Sequence, residues 1–395
     1  MFSNRTNWNL ESNDISLKIN DLKKRGKIFF DLTVSNPTQC HFDFPSEEII
    51  RALTSQRNLI YEPASQGLID ARKVVQQYYA SRGFDIPLNR IFLTASTSEG
   101  YSFLFRLLGN PNEVVLFPEP SYPLFQFLVD INDLKMQTYK LNYNGQRWSV
   151  SASNMFTVEA EKISAIVLVN PNNPTGSLIN EDDLEVVNRM ASQKQAAIIS
   201  DEVFLDYLFD GRMDYPSLAG NKTNLTFVLG GVSKALAMPQ MKLSWIIING
   251  PDALVNEAIA RLDVIADTYL SVNAPAQNAL AMWMGFQKNI RDEVMKRLES
   301  NRKYLQEKAV NGSGLTLLNS DGGWYAVCKV TSAEGASDIE ETDLVLQLLE
   351  NKGVFVHPGF FFDFQDSPYI VVSLLTPQTI FMQGIDRIID YLRNL

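Results

Sequence analysis

The sequence predicts an α/β fold: a mostly parallel sheet with helices on both faces, accompanied by a smaller α+β domain. Short, nearly continuous apolar runs alternate with longer helical patterns through the middle of the 395-residue chain. Such runs are typical of parallel strands that are buried on both faces. Because strands and helices alternate, an α/β domain is expected. The predicted strands are 91–94, 114–117, 165–169, 196–200, 225–229 and 245–248.

A helix is predicted over 181–194, with Asn180 as its N-cap. After about residue 285 the pattern changes to a long charged helix followed by short strands and further helices. The predicted elements there are a helix over 289–309, a strand over 324–330, a helix over 341–351, strands over 354–357 and 369–374, and a closing helix. We therefore predict a large α/β domain over 45–285 and a small α+β domain over 286–395, with segment 1–44 packing against the small domain.

Composition and charge narrow the class of protein. The net charge is −10 and the pI is near 4.9, which argues against nucleic acid or an anionic membrane as a partner. No apolar run approaches the roughly 20 residues of a membrane span, and the first residues show no secretory leader. Cys40 and Cys328 suit buried thiols in a reducing, cytoplasmic setting. His41 and His357 lack ligand spacing, so we expect no metal site.

Polar side chains follow five of the predicted strands. Asn173, Asp201 and Lys234 come after three of them, and Tyr122 and the hydroxyl run 96–98 come after two others. Taken singly, each fits a turn, a helix cap or a solvated surface. In an open α/β sheet, however, ligands bind beyond the carboxyl ends of the strands. Together they predict one site for a planar, anionic, electron-withdrawing ligand.

Three motifs carry a family resemblance. They are NPNNPTG at 170–176, SDEVF at 200–204 and GVSKALAMPQMKLSW at 231–245. In this order they resemble the fold-type I aminotransferases of class I/II, the aspartate aminotransferase superfamily, which depend on pyridoxal 5′-phosphate (PLP). The resemblance runs from about Asn36 to the C-terminus. It implies that the domain over 45–285 binds PLP.

The resemblance also implies roles for single residues. Lys234 matches the Schiff-base lysine, which carries the cofactor and later moves a proton. Asp201 matches the carboxylate that pairs with the pyridine nitrogen and keeps the ring an electron sink. Asn173 matches the amide that donates to the ring oxygen, and Tyr122 matches the aromatic ring that stacks on the pyridine.

The phosphate site is implied in the same way. Ser96, Thr97 and Ser98 would open a helix and offer N–H groups and hydroxyls at its positive end. Ser233 and Lys242 match the hydroxyl and the cation that complete the phosphate site, although arginine is commoner than lysine there. Tyr61 resembles the tyrosine that reaches the phosphate of the neighbouring subunit. A homodimer with shared active sites is therefore expected.

Three positions depart from the family pattern. Gly231 stands where many relatives carry a phosphate-binding serine, and Phe204 stands where a tyrosine usually donates to the ring oxygen. Val371 occupies the position of the arginine that normally binds the substrate α-carboxylate, so a carboxylate would lie beside an apolar side chain. The candidates for holding it are Asn36 and Asn173.

Arg5 is one further candidate for the carboxylate, and it is the only cation among the three. An arginine so close to the N-terminus is, however, more often a solvated surface residue.

The predicted function is that of an aminotransferase, which moves an amino group from an amino acid to a 2-oxo acid through Lys234. One alternative is a PLP-dependent lyase or decarboxylase on the same fold. Another is a substrate that lacks a standard α-carboxylate. A dinucleotide enzyme is disfavoured because no G-x-G-x-x-G follows a predicted strand.

Overall fold

The computed structural model describes residues 1–158, 160–212, 216–331, 340–365 and 368–394. Its strands are β1 Phe30–Asp31, β2 Ile91–Thr94, β3 Val114–Glu119, β4 Lys135–Tyr143, β5 Trp148–Val150, β6 Ile163–Val169, β7 Ala197–Asp201, β8 Thr226–Gly231, β9 Ser244–Asn249, β10 Leu315–Leu317, β11 Tyr325–Val330, β12 Val354–Phe355, β13 His357–Pro358 and β14 Tyr369–Ser373. Its helices are α1 Asp14–Lys24, α2 Ser46–Ala52, α3 Ile69–Ala80, α4 Thr97–Leu108, α5 Phe125–Asp130, α6 Ala152–Phe156, α7 Glu181–Lys194, α8 Val232–Ala235, α9 Asp252–Tyr269, α10 Ala274–Met284, α11 Gln287–Lys308, α12 Glu341–Gln347 and α13 Gln378–Leu392.

The largest sheet in the described part of the chain has eight strands in the order β2-β9-β8-β7-β6-β3-β4-β5. The pairs β8·β7, β7·β6, β6·β3 and β3·β4 are parallel. Strand β9 is antiparallel to both of its neighbours, and β5 is antiparallel to β4. All six predicted strands are present, with ends within two residues of the prediction. The prediction of a mostly parallel α/β sheet is confirmed.

Both faces of this sheet are buried. Val115, Val167 and Ile199 pack in one apolar cluster, whose other members include residues of α4 and α9. The intervening residues, such as Ile166 and Ile198, belong to the main core on the opposite face. Because alternate side chains of a strand point to opposite faces, helices on both sides require continuous apolar runs.

Two predictions at the level of single elements differ in their outcome. The helix over 181–194 is confirmed as α7, and the Asn180 Oδ1 accepts from the backbone N–H of Asp183 at 3.0 Å. Strands β4 and β5 were not predicted. Their residues are mostly half-exposed, and β4 mixes polar with apolar side chains, as expected at the edge of a sheet.

The C-terminal part contains a four-stranded sheet in the order β10-β11-β14-β13, whose pairs are antiparallel. Strand β1 pairs in parallel with β12, and α1 packs against α12. The residues before α1 do not pack only with these C-terminal elements, because the indole N–H of Trp8 donates to Asp130 at the end of α5. The three-part division at 44/45 and 285/286 stays a prediction. Among the described residues, no helix is long and apolar enough to cross a membrane.

Candidate active site

A cavity of about 640 Å³ opens beyond the carboxyl ends of the parallel strands. It is the place where ligands bind in sheets of this kind. Nine of the predicted site residues line it: Ser96, Thr97, Ser98, Tyr122, Asn173, Asp201, Ser233, Lys234 and Lys242. The structure therefore brings together side chains that lie at the carboxyl ends of β2, β3, β6, β7 and β8 or in the segments that follow them.

Lys234 lies in α8, directly after β8. Its Nζ is 4.7 Å from the ring centroid of Trp324 and 5.4 Å from that of Phe204. Burial lowers the pKa of this amine to about 8, and the negative charge of Asp201 opposes the shift. A lysine with a lowered pKa has a larger neutral fraction near pH 7, and the neutral amine is the nucleophile that attacks a carbonyl group.

Asp201 is the last residue of β7 and is buried. Its carboxylate accepts from the backbone N–H of Val203 at 3.2 Å and from the Tyr101 hydroxyl at 3.1 Å. Burial raises the pKa of Asp201 to about 6, although both hydrogen bonds and the charge of Lys234 oppose this shift. A cationic ligand atom beside this carboxylate would therefore be stabilised strongly. Sequence analysis missed Tyr101, which lies inside the apolar helix α4 and carries no local signal.

Several polar side chains of the cavity lack protein partners. The Asn173 Oδ1 is buried without a hydrogen bond. Within the described residues, the side chains of Thr97, Ser98, Ser233 and Lys242 also make no hydrogen bond or ion pair. Buried polar groups are normally paired, so the orphaned Asn173 oxygen indicates a polar ligand, and the unpartnered hydroxyls and amine beside it are available to that ligand.

The start of helix α4 adds backbone donors to that set. Ser96 is the N-cap and accepts from the N–H of Glu99 at 3.1 Å. The next residues thus present N–H groups at the positive end of a 12-residue helix. A phosphate fits this end of the cavity, and an aldehyde fits the Lys234 end. The residues present therefore suit PLP.

Phe204 is buried, lines the cavity and lies beside Lys234. Tyr122 lines the cavity too, and its ring meets Phe125 edge to face at 5.9 Å between centroids. Its exposed fraction of 38% leaves a face available to a ligand. The stacking role of Tyr122 stays a prediction.

Two predicted site residues do not line this cavity. Tyr61 is 79% exposed and lines a separate cavity of about 290 Å³ together with Arg57 and Gln277. Asn36 is exposed, and its Oδ1 accepts from both the N–H and the hydroxyl of Thr38, which caps the short helix after it. Their roles as a partner-phosphate ligand and a substrate ligand stay predictions.

The surroundings of Val371 are apolar, and its place beside the substrate carboxylate stays a prediction. Val371 is fully buried in β14 and packs in a cluster with Trp148, Phe362 and Phe364. Phe362 lines the cavity, whereas Val371 is not among its described lining residues. Arg5 is not among the described lining residues either, and its guanidinium pairs with Asp133 on the surface.

Other lining residues were missed by sequence analysis. They are aromatic or small polar residues from distant parts of the chain, among them Trp8, Phe127, Ser244, Tyr325, His357 and Phe361. Burial lowers the pKa of His357 to about 4, and its Nδ1 has no partner among the described residues. No spacing pattern links these positions, so only the fold shows that they are neighbours.

A buried carboxylate and a lysine with a lowered pKa, placed beyond the strand ends of an α/β sheet, are typical of a cofactor-dependent enzyme that reacts through an amine. Residues 27–381 match the family model of aminotransferase class I and II, and the chain belongs to that family. The cofactor of this family is PLP, and the protein is an aminotransferase.

Named relatives agree with this assignment. The chain is 27% identical over 357 residues to the glutamate-pyruvate aminotransferase AlaA of Haemophilus influenzae. The matched residues make up 90% of this chain and 88% of that protein. It is 26% identical over 380 residues to the alanine aminotransferase of Mycobacterium bovis, with 94% and 87% covered. Among solved structures, the alanine aminotransferase from Pyrococcus furiosus superposes with a TM-score of 0.88 at 25% identity, with 100% of both chains covered.

Proposed function

We propose that Lys234 binds the aldehyde carbon of PLP covalently and that Asp201 pairs with the pyridine nitrogen. The observation that carries this proposal is the pairing of a lowered pKa on Lys234 with a raised pKa on Asp201 in one cavity. Opposed perturbations of two titratable groups in a cleft are typical of catalytic sites. The unpartnered Asn173 supports it further.

The bound cofactor supplies an electron-withdrawing ring. The residues of this chain supply position and proton transfer. Asp201, fixed by Tyr101 and Val203, holds a proton on the pyridine nitrogen. The Lys234 amine would hold the cofactor and would take the proton that leaves the substrate α-carbon. Trp324 and Phe204 keep that amine in an apolar setting, which maintains its low pKa.

We further propose an amino acid with an apolar side chain as the substrate. Beyond the cofactor residues, the cavity is lined by aromatic and aliphatic side chains, among them Trp8, Phe127, Ile131 and Phe361. Lys234 and Lys242 are the cations of the described lining, and the cofactor occupies both. An acidic side chain would therefore be desolvated without a partner. Asn173 is our candidate for the residue that binds the α-carboxylate. Asn36 would join it only after the hydrogen bonds of its capping role are broken.

A homodimer with shared sites is the assembly we propose. Leu59, Ile60 and Tyr61 are consecutive and 83%, 64% and 79% exposed. Apolar surface of this kind marks an interaction site. A two-fold partner that covers this segment would bring Tyr61 to the neighbouring cavity. A cytoplasmic setting is supported by Cys40 and Cys328, which are buried free thiols.

Reduction with borohydride tests the role of Lys234. The treated holoenzyme should carry about one cofactor per chain on the peptide that contains Lys234, as read by mass spectrometry. Lys242→Ala is the matched control, since it removes the other lysine of the cavity and should leave the label in place. Lys234→Ala should bind no cofactor covalently. A label on Lys242, or none, would refute the assignment.

Substrate choice is tested separately on the holoenzyme. Single-turnover absorbance changes should be faster with leucine and phenylalanine than with aspartate and glutamate. If glutamate reacts as fast as leucine, the proposal of an apolar substrate is wrong, while the role of Lys234 is unaffected.

A further inference from the structure

The phosphate end of the cavity contains a serine on a strand where no family role was expected. Ser244 is the first residue of β9 and is 3% exposed. It lines the cavity together with Ser98, Ser233 and Lys242. Its hydroxyl makes no hydrogen bond within the part of the chain that the structure describes. A hydroxyl that lines a cavity and has no protein partner is available to a ligand.

Ser244 also lies directly opposite Gly231. The two residues are paired across the antiparallel strands β8 and β9. An ideal Cβ built on Gly231 would overlap the Ser244 hydroxyl and lie 2.9 Å from the Ser244 Cβ. The backbone of Gly231 is extended, with φ at 177°, so the space rather than the backbone conformation requires glycine here.

Side chains at positions 231 and 244 would therefore compete for the same space. A serine at 231 would place its side chain in the space that the Ser244 hydroxyl occupies. In this chain the Ser244 hydroxyl takes that space from β9. It can do so because residue 231 has no side chain.

We propose that Ser244 is a phosphate ligand of the cofactor and that it replaces the hydroxyl absent at Gly231. It donates its O–H to a phosphate oxygen beside Lys242 and the start of α4. A lysine binds phosphate as a point charge, whereas an arginine would bind it with two hydrogen bonds of fixed geometry. An added hydroxyl therefore helps to orient the phosphate as well as to bind it. This inference rests on PLP being bound as described above.

Binding of PLP and of pyridoxal, which lacks the phosphate, tests the proposal. Apoprotein is titrated with each, and dissociation constants are read from protein fluorescence and cofactor absorbance. Ser244→Ala should weaken PLP by about tenfold or more, the loss expected for a hydrogen bond to a charged group. Its affinity for pyridoxal should stay within about twofold of wild type.

Ser200→Ala is the matched control. Ser200 is also a buried serine near a strand end, but its hydroxyl donates to Glu202 at 2.8 Å. Its substitution should leave the ratio of PLP to pyridoxal affinity unchanged. The inhibition constant of inorganic phosphate against PLP binding in the absence of pyridoxal, corrected for the PLP dissociation constant of each protein, should be larger in Ser244→Ala than in wild type.

Exchange of the two residues gives a second, independent readout. Gly231→Ser alone should weaken PLP binding, because its side chain overlaps Ser244. The double variant Gly231→Ser/Ser244→Gly moves the hydroxyl to the other strand and should restore the PLP dissociation constant to within about threefold of wild type.

The outcomes are distinguishable. If Ser244→Ala binds PLP as tightly as wild type, or if it weakens PLP and pyridoxal equally, Ser244 does not contact the phosphate. Borohydride labelling of Lys234 in Ser244→Ala reports on the cofactor site itself. A labelled Lys234 with unchanged PLP affinity overturns the role of Ser244 alone, whereas an unlabelled wild type overturns the proposed function.

Discussion

Replacement of Asp201 by asparagine should stabilise the apoprotein while it removes activity. In the folded apoprotein, burial raises the pKa of Asp201 from 3.8 to about 6. Each pKa unit corresponds to about 1.4 kcal/mol, so ionisation of this group costs the folded state about 3 kcal/mol. For an acid whose folded pKa is raised, the folded state binds more protons, and stability falls as pH rises between the two values.

The quantity to measure is the difference in the free energy of unfolding between Asp201→Asn and wild type, as a function of pH. The free energy of unfolding of Asp201→Asn should exceed that of wild type by an amount that grows with pH. The gain should be small near pH 4 and approach its full value, about 3 kcal/mol, above about pH 7. A constant offset from altered hydrogen bonds with Tyr101 and Val203 does not affect this slope.

Urea unfolding of the apoprotein, at one fixed protein concentration and several pH values, gives this difference. Glu202→Gln is a positive control, because burial also raises the pKa of Glu202, to about 7, but Glu202 does not line the described cavity. Both variants should change the pH profile of the free energy of unfolding, and only Asp201→Asn should abolish transamination. A difference that is flat from pH 4 to about pH 8 would refute the reasoning that Asp201 is held in a costly ionised state.

Three further predictions concern single side chains. Phe204→Tyr should lower the pKa of the cofactor absorbance titration by one to two units, the equivalent of a hydrogen bond to a charged oxygen worth about 1.5–3 kcal/mol; an unchanged pKa would place Phe204 away from the ring oxygen. Mixed Lys234→Ala and Tyr61→Ala chains should recover about a quarter of wild-type activity through hybrid dimers with one intact site, and no recovery despite subunit exchange would exclude shared sites. Val371→Arg should lower the thermal midpoint, because it buries an unpaired charge beside Phe362 at a cost of about 3 kcal/mol or more; an unchanged midpoint with faster turnover of acidic amino acids would place residue 371 at the substrate.

Much of the fold could be predicted because its central strands are buried on both faces. Strand β2 was predicted with the correct ends, since all four of its residues are apolar or buried. Strand β4 was not, because it lies next to the edge, with only the short β5 beyond it, where a strand is covered less completely and its sequence loses the apolar signal. The burial that makes a strand recognisable depends on its place in the sheet, which the local sequence does not contain.

The site divides in a similar way. That Asp201 and Lys234 lie in one cavity could be predicted, because each lies at or shortly after the end of a recognisable strand and such residues meet at one edge of the sheet. Tyr101 and Ser244 could not. The tyrosine is one aromatic residue in an apolar helix, and the role of the serine depends on a glycine of the opposite strand.

The position of Trp8 has a practical consequence for anyone who expresses this protein. Trp8 lines the cavity and is held there by its hydrogen bond to Asp130, so the first few residues run close to the cavity mouth. A purification tag fused before Met1 would therefore be attached to the segment that carries this lining residue. Helix α13, near the other end of the chain, contributes no residue to the described lining, so a C-terminal tag would be attached to a segment that does not line the cavity.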